Sequence, residues 1–211
     1  LAYADPILSC EEAAQFEYQF FKGEPHEWLV MQAAGRRIAT HITQDCKELG
    51  TPLSDLNGLV LVGKGHNGGD ALLACAELVK WAPDVHWFIC LSHAPEHLRP
   101  NTLKAFKRVQ ALLPEAEFYI LSQAGEFQTR FLTLASNSGK WFCIDGFLGF
   151  NFRPPLSGLL ADTIKAVNAN PNIVLRAAVD LPTGLSSSSV MDGCVFKADF
   201  VYATGIAKKP L

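Results

Sequence analysis

One stretch constrains the fold more than any other. Gly58-Leu-Val-Leu-Val62 is a continuous apolar run, and Gly63-Lys-Gly-His-Asn-Gly-Gly-Asp70 follows it at once. A short uninterrupted run of Leu and Val reads as a strand covered on both faces, because a half-wet strand would alternate apolar with polar. The glycines then make a tight turn, and apolar spacing resumes as a helix from about Asp70 to Trp81. A strand buried on both sides requires a layer of helices above and another below the sheet.

The remaining sequence repeats this alternation. Strands at His86–Leu91, Phe118–Leu121, Trp141–Asp145, Ile173–Asp180 and Phe200–Thr204 are separated by helical spacing near Asn101–Leu112, Glu126–Ala135 and Leu159–Asn168. Two further helices precede them, over 9–47. Ser9-Cys-Glu-Glu12 has the form of a capping box, and Trp28, Met31, Gly35, Ile38 and Ile42 form one apolar stripe at spacings of three and four. Alternating strands and helices over 58–211 imply right-handed crossovers and a mostly parallel sheet. The expectation is a single domain, 1–211, with a three-layer α/β/α Rossmann-like fold.

Composition excludes several functional classes. Apolar residues make up 49% of 211 and charged ones 18%, enough to build a core. Lys plus Arg number 18 against 21 Asp plus Glu, a net charge of −3. That balance carries no electrostatic footprint for nucleic acid or an anionic membrane. No apolar run approaches the roughly 18 residues of a membrane span, and Leu-Ala-Tyr-Ala-Asp-Pro at the start is no signal peptide. The six cysteines form no Cys-x-x-Cys pair and mostly lie in apolar strings such as Phe-Ile-Cys90-Leu. They read as small buried hydrophobes in a reducing, cytoplasmic setting.

Ligands of such sheets bind beyond the carboxyl ends of the strands, and three of those junctions stand out. The glycine-rich junction contains G-x-G-x-x-G but lacks the ribose-binding acid of a dinucleotide fold, since Leu91-Ser92-His93 end the next strand. It reads as an anion-cradling loop, with Gly68 and Gly69 letting backbone approach a phosphate. Lys64 and Arg153 are further candidates for phosphate contact. The second junction is Ile144-Asp145-Gly-Phe-Leu-Gly149-Phe-Asn-Phe-Arg-Pro-Pro155, and the third is Val179-Asp180-Leu-Pro-Thr183-Gly184. Each places a carboxylate at the end of an apolar strand. Carboxylate, Asn carbonyl and Thr hydroxyl are hard oxygen donors, suited to an alkali or alkaline-earth ion. Other features have plainer readings. His93-Ala-Pro-Glu-His97 has zinc-pair spacing, but Pro95 breaks the shared helical face. Ser186–Ser189 is a surface loop without a nucleophile frame.

Together these segments resemble the NAD(P)H-hydrate epimerases, the YjeF N-terminal domain family. The resemblance rests on strand-Gly-x-Gly-x-Asn-Gly-Gly-Asp, strand-Asp followed by Gly-Phe, and Asp-Leu-Pro-Thr-Gly. Ile7-Leu-Ser-Cys-Glu-Glu12 resembles the opening helix, and Ala198-Asp199 with Ala207-Lys-Lys-Pro-Leu211 the closing strand. The resemblance implies an isomerase of nicotinamide-cofactor repair that interconverts the R and S epimers of NADH or NADPH hydrated at C6. It places substrate binding on His66, Asn67, Gly68, Gly69 and Asp70. A second binding segment is Gly149, Phe150, Asn151, Phe152, Arg153, Pro154 and Pro155. Asp180 is the substrate carboxylate, and one potassium ion falls on Asn67, Asp145 and Thr183. It also admits a homodimer and fusion to a C-terminal dehydratase domain. Asp180 is well suited to acid/base work, because the hydrate is a hemiaminal whose departing oxygen needs one proton that is later taken back. His66 stands where the family more often has Asn, and Ala71 where it has Gly. The alternative is a non-catalytic scaffold or binding module on the same fold, as in a relative in the mRNA-decapping machinery.

Overall fold

In the computed structural model, the described residues are 7–20, 23–123, 125–137, 139–185 and 193–209. The opening six residues and the Ser186–Ser189 loop therefore lie outside them. Six strands form one sheet: β1 (Asn57–Val62), β2 (Trp87–Leu91), β3 (Glu117–Ile120), β4 (Trp141–Gly146), β5 (Ile173–Val179) and β6 (Phe200–Tyr202). Their order is β3-β2-β1-β4-β5-β6, and all five pairings are parallel. The expected three-layer architecture is present.

Alternation along each strand divides the core into two layers. Val60 and Val62 of β1 face one side, together with Ile89 and Leu91 of β2 and Phe142 and Ile144 of β4. There they meet α2 (Glu24–Glu48), α3 (His66–Trp81) and α4 (Pro100–Leu112). Leu59 and Leu61 face the other side, with Phe88, Cys90 and Trp141, against α5 (Glu126–Asn137) and α6 (Gly158–Ala169). Both faces of β1 are at 0% exposure from Leu59 to Val62, as the apolar run requires. Cys46, Cys75, Cys90 and Cys143 are buried within this core. Among the described residues no helix is long and apolar enough to cross a membrane.

The N-terminal helix α1 (Cys10–Phe20) begins with the capping box read from sequence. Glu12 Oε2 accepts the Ser9 amide at 2.8 Å, and Ser9 Oγ accepts the Glu12 amide at 3.2 Å. The segment before α1 pairs with the last described residues. Leu8 and Lys208 form a parallel bridge, with Leu8 N–H donating to Ala207 O and Lys209 N–H to Leu8 O. This pairing ties the start of α1 to the segment that follows β6.

One boundary differs from expectation and matters for the site. Helix α3 starts at His66, four residues before the expected Asp70, so His66-Asn67-Gly68-Gly69-Asp70 is its first turn and not a loop. Tertiary packing explains the difference. A Cβ on Gly68 would stand 2.0 Å from the Gly63 carbonyl oxygen, and one on Gly69 would stand 2.3 Å from Met31 Cε and 3.2 Å from Thr102 Oγ1. On the side where a Cβ would stand, both glycines therefore give their space to protein atoms, which is why neither position takes a side chain without a shift.

Candidate active site

Strand order reverses between β1 and β4, and a crevice opens at such a switch point. The ends of both strands are packed closely there. A Cβ on Gly63 would meet the Phe147 carbonyl oxygen at 1.8 Å, and one on Gly146 would meet Ala71 Cβ at 2.5 Å. Ala71 of α3 fills this contact and is fully buried.

Asp145 lies in β4 with no exposure, and its carboxylate is filled with donors. Oδ1 accepts Thr183 Oγ1–H at 2.7 Å and Phe147 N–H at 3.2 Å, and Oδ2 accepts Thr183 N–H at 2.7 Å. Burial raises its pKa to about 6, while the hydrogen bonds from Thr183 and Phe147 act against that rise. Thr183 Oγ1 also accepts Leu148 N–H at 3.1 Å, and Asn67 Nδ2 donates to Leu148 O at 2.8 Å. The Leu148 peptide groups thus link Asn67 to Thr183. Asn67 Oδ1 is buried and has no hydrogen-bond partner among the described residues. An amide oxygen, one carboxylate and a hydroxyl fit a monovalent cation, which would satisfy that orphaned oxygen. A divalent ion asks for more carboxylates, and no group of three or more His, Cys, Asp or Glu among the described residues is arranged to hold one.

Asp180 follows β5 directly, and its φ of 65° is the one positive value recorded for a non-glycine residue among those described. Short polar side chains tolerate this left-handed region best, yet it still costs energy. Its amide donates to Tyr202 O at 2.9 Å. Carboxylate Oδ1 accepts Lys208 Nζ at 2.5 Å and Thr204 Oγ1 at 3.3 Å. Oδ2 points the other way, since a Cβ on Gly149 would stand 3.3 Å from it and 3.5 Å from Asn67 Cγ. Gly149 is therefore where the three junctions meet. The first turn of α3, the β4 loop and Asp180 converge as the sequence spacing suggested.

The remaining sequence candidates divide. Phe150 is half-buried, its ring centroid 5.2 Å from Lys208 Nζ, and Phe152 N–H closes a turn onto Gly149 O. Asn151, Arg153, Pro154 and Pro155 are exposed on the rim, and Lys64 is exposed too. Phe147 belongs to the core beneath α5 and α6. His66 Nε2 lies 2.8 Å from Glu27 Oε1, and Asn101 Nδ2 donates to Glu27 Oε2 at 2.6 Å. Burial lowers the His66 pKa, and Glu27 opposes that shift. Asp70 is buried with Oδ1 unpartnered among the described residues. Its carboxyl is held well above the usual range by burial, then by the charges of Asp180 and Glu17. A separate surface cavity of about 410 Å³ between α5 and α6 contains none of these residues.

Sequence reasoning missed Lys208, Glu17 and Glu27. Lys208 is fully buried and also lies 3.6 Å from Glu17 Oε1. The only local signal is a Lys-Lys pair after a short strand, which does not say which lysine turns inward.

Comparison with known proteins finds relatives over most of the chain. The family described as YjeF-related protein N-terminus matches residues 28–210. An NAD(P)H-hydrate epimerase of Elusimicrobium minutum is 30% identical over 184 residues, covering 87% of this chain and 77% of the relative. A bifunctional NAD(P)H-hydrate repair enzyme Nnr of Gloeobacter violaceus is 32% identical over 208 residues, 97% of this chain but only 36% of that longer protein. The crystal structure of yeast ynu0, YNL200c, superposes with a TM-score of 0.64 at 19% identity, covering 85% of this chain and 71% of that one, a likeness of fold. The chain belongs to the YjeF-related protein N-terminus family.

Proposed function

We propose that this chain epimerises hydrated NADH and NADPH at C6 of the ring, with Asp180 as the acid/base. The observation that carries the reading is the state of Asp180. It is buried and held in a left-handed backbone conformation, with one carboxylate oxygen tied and the other turned toward Gly149 in the crevice. Relatives that align with most of this chain are named NAD(P)H-hydrate epimerase, which supports the substrate class. In the hydrate the hydroxyl shares C6 with the N1 bond. Breaking and remaking that hemiaminal needs one proton to move to or from the oxygen, and a single positioned carboxyl suffices for it.

The first three amides of α3, those of His66, Asn67 and Gly68, lack intrahelical partners by the geometry of any helix start. With the helix dipole they favour an anion, so the pyrophosphate is assigned to this turn and the Gly149–Pro155 rim to the rest of the dinucleotide. Asn67, Asp145 and Thr183 would hold a potassium ion, which when bound supplies positive charge beside the buried carboxylates. A reducing, cytoplasmic setting belongs to the same reading, supported by the four cysteines that pack as core side chains. So does a dehydratase activity on a joined domain, supported by the bifunctional relatives.

The test follows the R to S ratio of hydrated NADH by chromatography, starting from one enriched epimer, with and without the protein. Equilibration faster than in buffer alone is expected. Equal rates with and without protein would leave a scaffold on the same fold.

A further inference from the structure

Lysine is almost never fully buried unless paired, and Lys208 has no exposure at all. Its three ammonium hydrogens face Asp180 Oδ1 at 2.5 Å, Thr204 O at 2.8 Å and Glu17 Oε1 at 3.6 Å. Stability alone is a weak reason for such an arrangement. The cost of desolvating two charges commonly cancels their attraction, so well-packed apolar residues of like volume do as well or better.

The partner of the pair is more telling. Asp180 is the strained residue, and strain persists only where the surroundings over-determine it. The segment 202–208 does this twice. Tyr202 O takes the Asp180 amide, and Lys208 with Thr204 takes Oδ1. What remains free of this grip is Oδ2, on the Gly149 side.

We propose that Lys208 is the positioning residue of the site: it fastens Oδ1 of Asp180, so that Oδ2 alone meets the substrate hydroxyl and stands ready to accept a proton. This rests on the reading of Asp180 as the acid/base. The titratable groups that act on both members of the pair are acidic: Glu17 from α1 and Asp70 from α3. Lys208 is the cation in contact with both Asp180 and Glu17. Without it these carboxyls crowd one another with no ammonium between them, and like charges at close range favour protonation.

The experiment compares wild type, Lys208→Met, Asp180→Asn and the double variant in the epimerisation assay across pH. For Lys208→Met the expected loss in kcat is about 10²-fold, within the range for misaligned acid/base catalysis, with KM little changed. The acidic limb of its kcat/KM profile should move to higher pH by about 1–3 units, the size of an opposite charge's influence on a neighbouring carboxylate. In the Asp180→Asn background Lys208→Met should cost nothing further, because the residue acts through Asp180. Propylamine should restore part of the activity of Lys208→Ala. A Lys208→Met enzyme with wild-type kcat and an unmoved acidic limb overturns the proposal, as does a double variant whose loss is the product of the single losses. If Lys208→Met does not fold, the double variant against Asp180→Asn decides: equal activity upholds the proposal, and a further tenfold loss overturns it. An active Asp180→Asn enzyme would instead refute the acid/base reading itself. An inactive Asp180→Asn beside an unaffected Lys208→Met refutes only the role of Lys208.

Discussion

The ends of β4 and β5 make an instructive pair. Each carries an aspartate at the close of an apolar strand, each is followed by a Gly- or Pro-rich turn, and each is buried. At the β4 end, Asp145 takes three hydrogen bonds from Thr183 and Phe147 and acts as a brace that joins two loops. At the β5 end, Asp180 sits in a strained conformation, takes side-chain donors on one oxygen and presents the other to the crevice. The same local signature thus yields a satisfied carboxylate and an available one. Donor supply separates them, and donor supply comes from elsewhere in the chain.

The sharpest way to break this comparison is Asp180→Asn. Amide and carboxylate are nearly isosteric, and Thr204 O and Glu17 still face Lys208, so a less stable but folded chain should lose epimerisation by about 10²–10⁴-fold, the usual share of a general acid/base. Activity within a few-fold of wild type would place the chemistry elsewhere. Asp145→Asn should show in stability, because that carboxylate braces two loops. An amide in that place turns a donor toward the N–H groups of Thr183 or Phe147, and an unsatisfied buried donor costs about 1–3 kcal/mol. The denaturation midpoint should drop accordingly, and an unchanged midpoint would deny Asp145 its bracing role.

The glycines beside the β4 end offer a finer test. Gly68→Ala drives a methyl group into the fixed Gly63 backbone and should cost about 1–3 kcal/mol by overpacking. Gly69→Ala meets the mobile tip of Met31 and should cost less. Because a Cβ at Gly69 would face Met31 and Thr102, thermal stabilisation by NADH should survive Gly69→Ala, at about 2.7 kcal/mol for ligand at 100 times its dissociation constant. Lost stabilisation in a folded Gly69→Ala would return the phosphate to that position.

The smallest effect concerns pH and the acidic groups opposite the β5 end. Burial, Asp180 and Glu17 hold the Asp70 carboxyl well above its ordinary value of 3.8. The folded chain then keeps a proton on Asp70 that the unfolded chain has released at the same pH. Lowering the pH toward 3.8 therefore favours folding through this residue, and raising it through the folded pKa removes the benefit. Asp70→Asn should lack this contribution, so urea midpoints of variant and wild type should diverge as the pH is raised from the ordinary aspartate value of 3.8. Parallel midpoints would show that Asp70 ionises freely.

How much was legible beforehand follows from the range of each interaction. The β1 run, the capping box at Ser9 and Glu12, and the stripe Met31, Gly35, Ile38 and Ile42 all appear as read. Each depends on residues only a few positions apart. Asn67, Asp145, Gly149, Asp180 and Thr183 also converge, because parallel strands bring their carboxyl ends to one edge of the sheet. The start of α3 was misplaced because glycine is a poor helix former on its own. Close packing against Gly63, Met31 and Thr102 overrides that preference.

From its sequence alone, this protein is a two-faced parallel sheet with a crevice lined by strand-end carboxylates. Hydrophobic period and turn chemistry are local properties, and the rule for crossovers turns them into an architecture. Only the tertiary structure decided which carboxylate is braced and which is free, that Gly69 faces protein, and that Lys208 is buried against Asp180. Residues 180 and 208 belong to different segments, and they meet only because β5 and β6 pair side by side and the Leu8 bridge holds the chain end down. A lysine's charge favours water wherever it stands in a sequence. Its burial is set by the carboxylates that the completed fold gathers around it.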